Sequence, residues 1–93
     1  MMTTDTLATT LLNDLATQPG VDVSDARTHI EYGEPGVAII RMLSQSITNA
    51  SLTIPAAHMD AIRAWGQTCR RNVYRTTADR ALRHAGYPGL NPA

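Results

Sequence analysis

The sequence predicts an all-α protein, a compact bundle of four to five short helices forming one domain over residues 1–93. Three observations carry this. Apolar residues recur at spacings of three and four in successive windows, the repeat of a helix with one buried face. A breaker closes four of the five windows: Pro19-Gly20, Gly33 ahead of Pro35, Asn49-Ala50-Ser51 ahead of Pro55, and Gly86-Tyr87-Pro88-Gly89. The chain has no Phe and one Trp, so its core must come from Leu, Ile, Val, Ala and Met. That palette suits packed helices better than a sandwich of aromatic and β-branched strands.

The first helix is expected over residues 3–17, with Leu7, Leu11, Leu12 and Leu15 on one face. Thr4 is the expected cap and Asp5 suits the first turn. The second starts near Asp22 or Ser24 and runs to about Tyr32, with Val23, Ala26, Ile30 and Tyr32 turned inward. Arg27 and Glu31 are placed to pair at (i, i+4), and Gly33 suits the left-handed residue after a helix end. The third helix opens at Glu34-Pro35, because proline is at home in a first turn. Its expected core stripe is Val37, Ile40, Leu43 and Ile47, widened by Ala38, Ile39 and Met42, making it the most buried helix.

Leu52-Thr53-Ile54-Pro55 reads as extended, since Ile54 precedes proline, with one of Leu52 and Ile54 inward. The fourth helix should cover Pro55 to about Arg71, with Ala56, Met59, Ile62, Trp65 or Gly66, and Cys69 on its buried face. Gly66 costs about 1 kcal/mol against Ala inside a helix, so a close helix approach is expected there. The fifth covers about Thr76–Ala85, with Ala78, Ala81, Leu82 and Ala85 inward and Asp79 between Arg75 and Arg83. Residues 1–3 and 88–93 carry no core pattern and are expected to be flexible.

Net charge is zero, but it is unevenly spread. Residues 1–34 hold six acids and one base, and residues 35–93 hold seven arginines and two acids. The halves either compensate each other in space or present two patches, one for a partner. The single Cys cannot form an internal disulfide, and no signal-peptide pattern or membrane-length apolar run occurs. A cytoplasmic protein with no membrane contact is expected.

Chemistry is sparse. His29, His58 and His84 fall on three different expected helices without zinc spacing, and read as solvated surface residues. Cys69 lies on the apolar phase of its helix and reads as a buried, inert thiol. There is no phosphate loop and no Ser–His–acid team. Glu31 and Glu34 are paired carboxylates, but acid–base work needs a cleft that pushes their pKa values apart. No catalytic residue, cofactor or metal is therefore expected. Nucleic acid is a rival partner, because Arg70, Arg71, Arg75, Arg80 and Arg83 cluster near Tyr74. Against it, the charge balance is neutral and no Lys or Gln interleaves those arginines, Asn72 being the one amide side chain among them.

The elbow Asp25–Ile40 brings an acidic helix against an apolar one with almost no linker. Gly33 and Pro35 are accounted for as turn punctuation. The grouping of Asp22, Asp25, Glu31, Tyr32 and Glu34 is not, and Glu31 in a last helical turn opposes the helix dipole. The Arg27…Ile30-Glu31 helix, the Gly33-Glu34-Pro35 break, the Val37-Ala38-Ile39 opening and the Leu52-Thr53-Ile54-Pro55 entry resemble the MafI-like family of small bacterial immunity proteins. The resemblance covers about residues 22–68 and leaves out the Arg-rich end. It implies binding and neutralising a cognate polymorphic toxin, often a nuclease with a basic cleft. An acidic face of Asp22, Asp25, Glu31 and Glu34 would suit that partner, with Tyr32 as its aromatic anchor. A protein–protein adaptor or inhibitor remains an alternative. The oligomeric state is left open, since an Ala-rich fifth helix could pair as readily as pack.

Overall fold

The computed structural model describes residues 2–91; the flexibility expected for Met1, Pro92 and Ala93 lies outside them. Its helices are α1 (Thr4–Leu15), α2 (Ser24–Glu31), α3 (Pro35–Thr48), a 3-10 turn (Ala56–His58), α4 (Met59–Thr68) and α5 (Asn72–His84). Among the described residues there is no strand, and the chain forms one all-α bundle. None of the described helices is long and apolar enough to cross a membrane.

Helix α1 is capped one residue before the expected Thr4 and ends at Leu15, short of the expected residue 17. Thr3, in extended conformation, accepts a hydrogen bond from the Thr6 N–H and so caps the first turn. Leu7, Leu11, Leu12 and Leu15 are all buried, as their spacing requires. Helix α2 turns in Val23 and Ala26, with Ile30 half-buried against the core.

Helix α3 is central and packs on α1, α2 and α5. Its buried set is Ala38, Ile39, Met42, Leu43 and Ser46. This corrects the expected stripe: the helix is rotated, so Val37, Ile40 and Ile47 are only half-buried. The cause is that α3 has more apolar residues than one face can hold. The small Ala38 and Ser46 admit the close neighbours, and Ser46 satisfies its buried hydroxyl by donating to the Leu43 carbonyl at 2.6 Å.

Leu52 and Ile54 both point inward and are buried, with Thr53 exposed between them. The alternation was legible, but both apolar residues share the inner side. The Gln18 side chain holds this segment, donating to the Thr53 carbonyl at 2.6 Å and accepting the Thr53 N–H at 2.9 Å.

Helix α4 is shorter than expected: a 3-10 turn precedes it and Cys69 ends it in extended conformation. Met59, Ile62 and Gly66 form its buried side, while Ala56 is exposed. Cys69 is half-buried rather than enclosed; burial pushes its thiol pKa up from 9.0, and the Arg75 charge opposes this. Gly66 is the expected close approach. A Cβ there would lie 2.9 Å from the Ala78 Cβ of α5 and 2.7 Å from the Leu90 Cδ2.

Helix α5 starts four residues earlier than expected and runs parallel to α3. Tyr74 near its start lies against Gly36 near the start of α3. Ala81 and His84 near its end share a pocket wall with Ser46 and Asn49 near the end of α3. Ala85, expected inward, is exposed. The segment after α5 departs from the expected flexible end. Leu90 is buried, its N–H donates to Asp79 Oδ1 at 2.9 Å, and Gln67 donates to its carbonyl at 2.7 Å. Arg63 donates to the Pro88 and Gly89 carbonyls at 3.1 and 3.3 Å. Polar side chains of α4 and α5, rather than a core pattern, dock this segment.

Candidate partner-binding face

The corner between α2 and α3 is built by backbone chemistry. Gly33 takes φ +74°, a conformation glycine reaches without steric cost. The Glu34 N–H donates to the His29 carbonyl at 2.8 Å and the Gly33 N–H to the Ile30 carbonyl at 3.1 Å. These two bonds make a Schellman end to α2. Pro35 then opens α3 at its first position.

The structure places all five candidate residues on this exposed side, and divides them. Asp22 serves folding: its carboxylate accepts the Ser24 N–H at 2.9 Å. Hydrogen bonds from the Ser24 side chain and backbone hold its pKa below 3.8. Asp25 lies 3.5 Å from Arg41 Nε and 3.6 Å from His29 Nε2. Glu34 Oε1 lies 3.0 Å from His29 Nδ1. Glu31 and Tyr32 have no ion-pair or side-chain hydrogen-bond partner among the described residues. The expected Arg27–Glu31 pair is not formed, and Tyr32, expected inward, is 78% exposed. The Schellman turn sets Tyr32 beyond the last turn of α2, where the helical phase no longer aims its ring at the core.

His29 was missed as part of this group. It stands half-buried between two carboxylates that belong to different elements, so it ties α2 to the start of α3. Its (i, i+4) spacing from Asp25 was readable; its contact with Glu34 depends on the turn. His58 also departs from the expected solvated residue. It is largely buried and paired with Asp14, joining the 3-10 turn to α1.

The acidic corner is not remote from the basic end of the chain. A Cβ on Gly36 would meet Tyr74 Cε2 at 3.4 Å. Tyr74 stacks on Trp65 with ring centroids 6.1 Å apart, and the Arg71 guanidinium lies 5.8 Å from the Tyr74 ring centre. Arg70, Arg71, Arg75 and Arg80 are exposed and make no ion pair among the described residues. Asp79 pairs with Arg83 at 3.0 Å, and no pair with Arg75 forms.

A pocket of about 430 Å3 lies at the other end of the α3–α5 seam, beside Leu52–Ala56 and Tyr87. None of the five candidate residues lines it. Among the described residues, no group of three or more His, Cys, Asp or Glu is placed to hold a metal ion. What the corner offers chemically is a set of fixed anionic contacts around one exposed aromatic ring. Compared with known proteins, the chain matches no family model, no curated protein and no solved structure.

Proposed function

We propose that the chain is an immunity protein that binds a cognate toxin domain in the cytoplasm through the α2–α3 corner. Two things support this reading: the resemblance of residues 22–68 to MafI-like immunity proteins, and the state of Tyr32. A tyrosine 78% exposed on a rigid corner, flanked by exposed Glu31 and Glu34, contributes little to folding. A rigid aromatic among charges is a common anchor of protein interfaces. Acidic neighbours would speed encounter with a basic substrate-binding cleft.

In this reading Glu31 and Tyr32 make direct contact. Asp25, His29, Glu34 and Arg41 hold the corner in shape. Co-expression with the toxin encoded beside it tests the proposal. Glu31→Arg/Glu34→Arg is expected to abolish protection. Tyr32→Ala is expected to weaken binding by at least about fivefold, since anchors of this kind contribute roughly 1 kcal/mol or more. Full protection and unchanged affinity in both variants would remove the corner from the mechanism.

A second reading draws on the exposed, unpaired Arg70, Arg71, Arg75 and Arg80, which would suit nucleic acid. It requires duplex binding that weakens steeply with salt. Failure to shift any duplex at low salt rejects it.

A further inference from the structure

The pocket of about 430 Å3 beside Leu52–Ala56 is used neither by the α2–α3 corner nor by the exposed arginines. It is open because of what its rim lacks. Ala50, Ala56 and Ala85 come from three different segments and stand exposed at its edge. None of the three has a side chain long enough to reach across. The volume falls in the range of about 300–1,000 Å3 that small-molecule sites occupy.

The walls are held without a ligand. Gln18 grips Thr53 through two hydrogen bonds, which fixes the Leu52–Ala56 segment. On the other side, the Tyr87 N–H donates to the Leu82 carbonyl at 3.0 Å and closes the turn after α5. Leu52, Ile54, Met59 and Ala81 are buried and give the pocket an apolar floor. Met59 can adapt its shape to a ring laid against it.

One polar group reaches this floor. Ser46, 8% exposed, lines the pocket from α3. Its hydroxyl donates to the Leu43 carbonyl at 2.6 Å, and nothing among the described residues donates to it in return. The oxygen therefore keeps an open acceptor site, which an O–H or N–H of a ligand would fill.

Charge narrows the ligand further. Charged residues make up 17% of the chain, yet no Asp, Glu, Lys or Arg lines the pocket. A cation would lose its hydration with no carboxylate to meet it. An anion would face the ends of α3 and α5, which stop at Thr48 and His84 beside the pocket. Helix C-termini carry partial negative charge. His84 is the one lining side chain able to carry positive charge, and it stands exposed at the rim, in water. Tyr87 beside it adds an aromatic edge for a ring to lie against.

We propose that this pocket binds a small neutral aromatic molecule with a single hydrogen-bond donor, of the phenol or indole class, with its ring on Leu52, Ile54 and Met59 and its donor on Ser46. The inference goes beyond the toxin reading and does not rest on it, because no residue of the α2–α3 corner lines the pocket.

Amide NMR titration of the full chain tests this, with naphthol as the probe and naphthoate and naphthylmethylammonium as its charged counterparts. Naphthol is expected to give saturable shifts at the Ser46, Ala81 and Tyr87 amides, with Kd on the order of 1 mM. The two charged probes should bind at least about tenfold more weakly. Ser46→Ala should weaken naphthol about threefold or more, the scale of one hydrogen bond. Ala85→Trp and Ala56→Phe fill the rim from opposite walls at exposed positions. Each is expected to abolish the shifts with an unchanged helical circular dichroism spectrum. Absence of saturable shifts up to the solubility of naphthol would overturn the proposal. So would binding indifferent to both rim variants or to Ser46→Ala, or equal affinity for the charged probes. If N-acetyltryptophan amide binds at least about tenfold more tightly than naphthol, the pocket takes a side chain of a protein partner and the small-molecule assignment is overturned.

Discussion

Gly66 shows how a single missing methyl group sets the spacing of two helices. The Ala78 Cβ and one Leu90 methyl occupy the space where its side chain would stand. The leucine can rotate away, but Ala78 is fixed to the backbone of α5. Inserting bulk at such a contact costs about 1–3 kcal/mol, more than the gain in helix propensity can offset for a β-branched residue. Gly66→Val is expected to lower unfolding free energy by about 2 kcal/mol in urea titration. A midpoint equal to that of the wild type would show that α5 yields instead. A similar economy holds at Gly89, where a Cβ would overlap the Asp79 carboxylate that receives the Leu90 N–H.

At the scale of elements, the start of α2 depends on one carboxylate. Asp22 accepts the Ser24 N–H, and its pKa lies below 3.8 because that bond and the Ser24 side chain favour the ionised form. A depressed folded-state pKa gives stability that is present above the unfolded value and is lost as pH falls through the folded one. The first turn of α2 should therefore lose this contact as pH falls below the ordinary carboxylate range. Proton NMR of the Ser24 amide would follow this, and Asp22→Asn should remove the step.

Much of the element map could be read from sequence, because breakers are local. Gly33 and Pro35 act through their own backbones, and Leu7 to Leu15 through simple periodicity. The rotation of α3 could not be read, since an apolar excess defines no unique buried face. The docking of Leu90 was hidden for a different reason. It depends on Asp79, Gln67 and Arg63, polar side chains whose targets are set by tertiary approach. At the candidate site, the acids and Tyr32 were visible as a cluster. Their division into pairing and unpaired members was not, because the turn decides that His29 meets Glu34.

Over the whole molecule, the sequence halves of opposite charge do not separate into opposite poles. The corner at Gly36 lies against Tyr74, so the acidic and basic ends of the chain are neighbours. Few ion pairs form between them; Asp25 with Arg41 is one. Burial of nineteen apolar residues among the described ones holds the fold instead.

The parallel course of α3 and α5 has a consequence for the order in which the molecule assembles. Helices α1, α2 and α3 follow one another through short turns, so their contacts close small loops. For α5 to lie alongside α3 in the same direction, residues 49–71 must first travel back along the bundle. That seam joins residues far apart in the chain, and its closure carries the larger entropic cost. The N-terminal three helices are thus expected to form an early cooperative unit, with α5 joining late and leaving first. Native-state amide exchange should give α5 lower opening free energies than α3. Equal protection of the two helices would mean that the seam and the first three helices rise and fall together.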